Sequence, residues 1–151
     1  MKLLLASIAM MATLCVAGRS FGREKSFNLE KGLAIQGYDP VAYFTMGKAV
    51  KGSGDHRHTH QGVTYYFSSK AHKEAFMANP GRFEPQYGGW CAYAMGATGE
   101  KVEVDPASFK VVEGKLYLFY KSWTNNTLAK WNKDEAGLKK QAELNWKKFF
   151  K

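Results

Sequence analysis

Residues 56–69, which read HRHTHQGVTYYFSS, contain the pattern that decides the fold. Five polar or imidazole side chains come first, the pair Gln61-Gly62 follows, and residues 63–67 are mostly apolar and aromatic. Two short runs that flank a turn ending in glycine are typical of a β-hairpin. The two serines that close the stretch are good helix N-cap residues, so they predict a helix over 70–79 directly after the hairpin.

An Asp-Pro pair occurs on each side of this stretch. Asp39-Pro40 predicts a single capped helical turn, because aspartate accepts backbone N–H bonds and proline fits the first helical position. Residues 105–109 repeat the same chemistry and predict a second capped turn. A second hairpin over 110–120, turning at Glu113-Gly114, is expected after it.

The last part of the chain carries apolar residues at spacings near the helical period across 123–150. Asp134 and Gly137 predict a break there between two helices. Short hairpins that alternate with short helices indicate an α+β fold with a small antiparallel sheet and a helical C-terminal segment.

The N-terminus has the pattern of a secretory signal peptide over residues 1–18, with a lysine followed by an apolar run. Small residues place cleavage between about 17 and 22, and the run is too short to span a bilayer comfortably. A lipid anchor on Cys15 is the alternative, although Leu14 before it is not a small residue. We therefore expect a periplasmic or secreted protein with one domain over 27–151 and no transmembrane segment after cleavage.

The chain is basic, with 22 Lys and Arg against 13 Asp and Glu and a formal net charge of +9. Nucleic acid is not an expected partner, because the lysines are densest in the predicted last helix and not in a groove-reading motif. That helix presents either a solvated basic face or a surface with weak attraction to anionic membranes.

Signal removal leaves Cys91 as the remaining cysteine of the 2 in the chain. A lone thiol in an oxidising compartment is either buried and inert, or paired between chains, or present for its chemistry. It follows the pair Gly88-Gly89, which permits backbone angles or close approaches that side chains forbid.

Several motifs together resemble the exported branch of the YHS-domain family. These are 37–44 (GYDPVAYF), 62–69 (GVTYYFSS), His72, Phe76, Pro80, Phe83, 85–92 (PQYGGWCA), Asp105-Pro106, 114–118 (GKLYL), 129–131 (AKW) and 145–146 (NW). The resemblance covers most of the chain after the signal sequence. It implies a small metal-binding or metal-associated domain, of a kind that also occurs fused to heavy-metal pumps and oxygenase subunits.

The sequence departs from the cytoplasmic branch of that family at its cysteine positions. That branch has a cysteine after the Asp-Pro-Val turn and further cysteines on the helix after the aromatic strand, where this chain has Ala42, Ser69 and His72. Of the ligands that the resemblance implies, His72 and Cys91 are those that remain.

Cys91 and His72 are therefore the main candidates for a metal site. Met95 would share a face with Cys91 in a helix, and thiolate, thioether and imidazole together suit Cu(I) better than tetrahedral zinc. The alternative is that Cys91 and Met95 are core residues, and that His72 is a surface or capping residue. Asp39 is a weaker candidate, because a helix cap already explains it.

His56, His58 and His60 form a separate candidate site. Strand side chains alternate, so all three would lie on one side, with neighbours about 6.6 Å apart along the strand. A solvated loop with incidental histidines is the alternative.

Three classes of function remain open. The first is a metal-handling or metal-sensing domain for copper, or less favourably zinc. The second is a metal-free protein-interaction module with a structural Cys91, which would dock a protein partner through the aromatic region around Trp90 or the basic C-terminal helix. The third and weakest is an enzyme with Cys91 as nucleophile and His72 as base, because the sequence has no catalytic or organic-cofactor fingerprint.

Overall fold

The computed structural model describes residues 22–151. The predicted signal peptide at 1–18 lies outside the described residues. Residues 22–151 contain six β-strands and six α-helices. The strands are β1 (Leu29–Glu30), β2 (Leu33–Ala34), β3 (Ser53–His60), β4 (Val63–Phe67), β5 (Asp105–Val112) and β6 (Lys115–Phe119). The helices are α1 (Ala42–Thr45), α2 (Lys70–Ala78), α3 (Pro80–Phe83), α4 (Ala92–Ala97), α5 (Thr127–Lys133) and α6 (Glu135–Lys147).

The first sheet has the strand order β1-β2-β4-β3. β3 and β4 pair antiparallel, with His58 opposite Tyr65 and His60 opposite Val63, which confirms the predicted hairpin. β2 pairs parallel with β4 at Leu33 and Thr64, so this sheet is mixed where antiparallel pairing was expected throughout. The α+β class itself is confirmed.

The second sheet consists of β5 and β6, which pair antiparallel across the turn at Glu113 and Gly114. The prediction of a capped helical turn over 105–109 is wrong, because Asp105 already belongs to β5. Its Oδ1 accepts the Ala107 N–H at 2.9 Å, as a cap would, but the backbone pairs with Phe119. Strand pairing has overridden the local capping preference, and the register is irregular between Asp105 and Phe109.

The helix boundaries follow the predicted caps. Ser69 Oγ accepts the His72 N–H at 3.1 Å at the start of α2, and Pro80 begins α3. Asp134 separates α5 from α6, and its Oδ1 accepts the Gly137 N–H at 3.1 Å, so the predicted break is confirmed.

Aromatic side chains form two packed groups. In the first, the Phe76 ring of α2 lies 4.7 Å from the Tyr65 ring and 5.2 Å from the Phe67 ring of β4. In the second, the Trp131 ring of α5 lies 5.5 Å from Tyr117 and 5.6 Å from Phe119 of β6. All six side chains are fully buried. The aromatic side chains of each hairpin therefore pack against an aromatic side chain of a neighbouring helix.

Two glycines are required by close packing. Gly88 has a φ of +60°, and a Cβ there would lie 2.8 Å from the Trp146 ring and 3.1 Å from the Phe27 Cα. At Gly96 of α4 a Cβ would lie 2.5 Å from the carbonyl oxygen of Leu138, so glycine lets α4 pack directly against α6. The predicted close approach at the glycine pair is thus found at Gly88.

Candidate functional site

Asp39 is a fully buried residue that lies just before α1. Its Oδ1 accepts hydrogen bonds from the backbone N–H groups of Val41 at 2.8 Å and Ala42 at 3.3 Å. Pro40 has no N–H to satisfy, so two donors at the helix start share one oxygen. Asp39 thus accepts backbone N–H groups as predicted, but α1 begins at Ala42 with Val41 as its N-cap, so Pro40 lies before the helix and not at its first position.

The second oxygen of Asp39 reaches the junction between β4 and α2. Its Oδ2 accepts the Ser68 N–H at 2.9 Å and the Ser68 hydroxyl at 2.6 Å. It also accepts a hydrogen bond from His72 Nδ1 at 2.6 Å. Five donors therefore surround the carboxylate, which explains how a charged group can lie in the interior.

Asp39 also determines the tautomer of His72. A carboxylate only accepts hydrogen bonds, so Nδ1 carries a proton, and in the neutral form of the ring the free lone pair is on Nε2. Nε2 lies 3.2 Å from Thr45 Oγ1, and 18% of the His72 side chain is exposed. The Asp39–His72 pair thus presents one oriented imidazole nitrogen at the protein surface.

Cys91, the other main candidate, is fully buried at the N-cap of α4. Its Sγ accepts the Tyr120 N–H at 3.3 Å and lies 3.4 Å from the Thr127 hydroxyl. That hydroxyl donates to the Tyr120 carbonyl at 2.6 Å, so the thiol is the donor in its contact with Thr127. The thiol links α4 to the end of β6 and the start of α5.

Met95 lies one turn further along α4 and is also fully buried. Its N–H donates to the Cys91 carbonyl at 3.0 Å, so the two sulfur residues share a short helix as predicted. Cys91 and His72 have no hydrogen-bond partner in common within residues 22–151. The structure brings His72 together with Asp39, the weaker candidate.

His56, His58 and His60 lie on one side of β3, since all three are partly buried while Arg57 and Thr59 between them are exposed. The His58 and His60 rings each lie 6.2 Å from the Phe76 ring. Burial lowers the pKa of His60, although Glu84 Oε1 at 3.9 Å opposes the effect. The predicted placement on one side is confirmed.

A complete metal site built from His, Cys, Asp or Glu is not found in the described part of the chain, because no group of three or more such side chains could hold an ion. His72 supplies one oriented nitrogen, while both oxygens of Asp39 are already occupied by donors. An ion at Nε2 would complete its coordination with water or with groups from another molecule. The residues present therefore fit a partial, open site.

The predicted partner surfaces differ in their exposure. Trp90 is partly buried, and its Nε1 donates to the Ser26 carbonyl at 2.7 Å. Trp123 is fully exposed, with a relative accessibility of 105%, on the loop between β6 and α5. On the basic C-terminal helix, Lys139 donates to Glu113 at 2.8 Å. The most exposed indole is thus Trp123 and not Trp90.

Two members of the site were not selected from the sequence. Ser68 was considered only as a cap, and it donates twice to Asp39. Thr45 lies 27 residues before His72, and no local pattern connects them. For Ser68, the only indication in the sequence is that two serines follow the aromatic strand.

Within residues 22–151, no helix combines the length and the apolar character needed to cross a membrane. We compared the chain with protein-family models, with curated proteins and with solved structures, and none of the three comparisons gave a match.

Proposed function

We propose that the protein is an exported domain that binds a transition-metal ion through His72 Nε2 and acts in metal handling or sensing. The observation that carries the proposal is the 2.6 Å contact between His72 Nδ1 and the fully buried Asp39. Metal-binding histidines commonly donate their second ring N–H to a carboxylate, which fixes the ring and raises its basicity. Asp39 performs that orienting role here.

Copper is the proposed ion and zinc the second choice. Imidazole suits both metals, and nitrogen sites generally bind Cu²⁺ more tightly than Zn²⁺. Cys91 and Met95 would shift the preference towards Cu(I), but both are fully buried. A thiolate ligand would require α4 to separate from β6 and α5 first.

An open coordination sphere favours transfer of the ion over permanent storage. One imidazole leaves most coordination positions to water or to a second molecule. An ion held in this way can pass to a partner without unfolding of the domain. This is the reason for proposing handling or sensing in place of a structural metal.

Substoichiometric Cu²⁺ added to ¹⁵N-labelled protein tests the proposal, because the paramagnetic ion broadens the signals of nearby amides. We expect the amides of Thr45, Ser68 and His72 to broaden first. His72→Gln should abolish this broadening. His58→Gln removes an imidazole from β3 and is the matched control, so it should leave the broadening at His72 intact.

Other patterns of broadening would contradict the assignment. Broadening centred on β3 that disappears in His58→Gln would move the site to the hairpin. Loss of binding in Cys91→Ala with retention in His72→Gln would make the thiol the ligand. Equilibrium dialysis against Zn²⁺ with the same variants extends the test to a diamagnetic ion.

A metal-free interaction module is the second candidate function. The specific observation in its favour is that the Cys91 thiol is fully buried and hydrogen-bonded, as a structural residue would be. Absence of saturable binding of Cu²⁺ and Zn²⁺ by the wild-type protein would favour this function over the first.

A further inference from the structure

The side chains of Thr45, His72 and Asp39 form a continuous hydrogen-bonded series. Thr45 Oγ1 lies 3.2 Å from His72 Nε2, and His72 Nδ1 lies 2.6 Å from Asp39 Oδ2. A hydroxyl next to a base that is itself oriented by a third group is the arrangement of an activated nucleophile. We propose that Thr45 is a nucleophile for acyl transfer, with His72 as its general base and Asp39 as the residue that positions His72.

The position of Thr45 makes its hydroxyl available to an outside molecule. It is the last residue of α1, and its side chain is exposed. Its single hydroxyl proton has two acceptors within reach, the Val41 carbonyl at 3.2 Å and His72 Nε2 at 3.2 Å. Rotation about the Cβ–Oγ1 bond of Thr45 therefore turns the hydroxyl proton from the Val41 carbonyl to His72 Nε2.

His72 lies between a buried carboxylate and the start of a helix. The Asp39 carboxylate accepts the hydrogen bond from Nδ1 and holds the ring so that Nε2 faces Thr45. His72 lies in the first turn of α2, whose early N–H groups have no intrahelical partners. Developing negative charge on an acyl oxygen near this turn would face the positive end of the helix dipole.

The reaction that fits is the cleavage of an ester. Thr45 Oγ1 attacks the ester carbonyl carbon while its proton moves to His72 Nε2. The bond between that carbon and the leaving oxygen then breaks, and the leaving alkoxide takes the proton from Nε2. Water hydrolyses the acyl-Thr45 ester in a second step and restores the hydroxyl. Because Thr45 lies on an exposed surface, the substrate class is an unhindered or activated ester.

This inference uses the same Asp39–His72 pair as the proposed function but requires no metal ion. A metal ion on Nε2 would occupy the lone pair that must accept the Thr45 proton. Nε2 therefore cannot bind a metal ion and accept the Thr45 proton at the same time. An experiment can refute either proposal and leave the other intact.

A fluorophosphonate probe in the presence of a chelator tests the inference, since it phosphonylates activated hydroxyls. We expect one adduct, located at Thr45 by peptide mass spectrometry, and none at this position in Thr45→Val. His72→Gln should slow labelling at least about 100-fold, the usual contribution of a general base. Thr59→Val is the matched control, because Thr59 is an exposed threonine whose Oγ1 lies 2.8 Å from Thr64 Oγ1 and forms no hydrogen bond to a histidine ring within residues 22–151.

Two results would overturn the inference. One is an unlabelled Thr45 in the wild-type protein under conditions that label an equal concentration of a serine hydrolase. The other is an adduct whose rate of formation is unchanged in His72→Gln. Neither result depends on metal binding, because the chelator is present throughout. Conversely, a failure of Cu²⁺ to bind leaves the expected labelling of Thr45 unchanged.

Discussion

Replacement of Asp39 by asparagine should destabilise the fold more than its conservative nature suggests. The amide keeps the shape of the carboxylate but has one acceptor oxygen and one donor nitrogen. If the oxygen stays with Val41 and Ala42, the nitrogen faces Ser68 and His72, which now donate to Oδ2. The side chain cannot satisfy both sets of donors.

The size of the effect follows from these contacts. The Ser68 hydroxyl can rotate and the His72 ring can change its tautomer, so both can accept a hydrogen bond from the amide nitrogen. The Ser68 backbone N–H can only donate, so it loses its partner. The hydrogen bond of the Ser68 N–H is part-buried, and leaving such a donor unsatisfied costs about 1–3 kcal/mol, while two charge-assisted bonds that become neutral lose about 1 kcal/mol each. We therefore expect Asp39→Asn to lower the free energy of unfolding by about 3–5 kcal/mol.

Urea denaturation followed by tryptophan fluorescence measures this loss, provided that the dependence on urea concentration is the same in both proteins. Asp105→Asn is the matched control, because Asp105 also precedes a proline and also accepts a backbone N–H. Asparagine is as good a cap as aspartate, so the control should lose less than about 0.5–1 kcal/mol. Equal losses in the two variants would refute the reasoning about the Asp39 contacts.

Three further predictions concern the core and the hairpin. Cys91 should react with iodoacetamide at least about 100-fold more slowly in the native protein than in urea, as peptide mass spectrometry can show, because its thiol is fully buried. Gly96→Ala should lower the unfolding free energy by about 1–3 kcal/mol through a clash with the Leu138 carbonyl, while Gly81→Ala, with open space around it, should change it by less than about 1 kcal/mol. Burial lowers the pKa of His60, so on acidification the unfolded chain binds the proton at a higher pH than the folded protein does. The free energy of unfolding should therefore fall as the pH drops below about 6.5. His60→Gln should reduce that fall, as urea denaturation at several pH values can measure.

Local chemistry was sufficient to predict most of the secondary structure. The hairpin around Gln61-Gly62 and the caps at Ser69 and Asp134 depend on residues a few positions apart, so one sequence reveals them. Residues 105–109 show where this approach fails. Asp105 has the same capping chemistry as Asp39, but its pairing with Phe119 places it in a strand.

The candidate site could be predicted only in part. Asp39 and His72 were both candidates, but 33 residues separate them, and their contact depends on how the β4–α2 junction packs against α1. Thr45 carries no sequence signal, because its proximity to His72 is created by tertiary structure alone. For Cys91, the residue type permitted a buried or a reactive thiol, and only the packing of α4 against β6 distinguishes these.

The tautomer of His72 tests most directly the claim that Asp39 orients its ring. A long-range ¹H–¹⁵N correlation spectrum of protein labelled at histidine reports which ring nitrogen carries the proton. For the neutral form of the His72 ring we predict a protonated Nδ1 and an unprotonated Nε2, and a different proton distribution in Asp39→Asn. A wild-type spectrum in which Nε2 carries the proton and Nδ1 is bare would contradict the assignment.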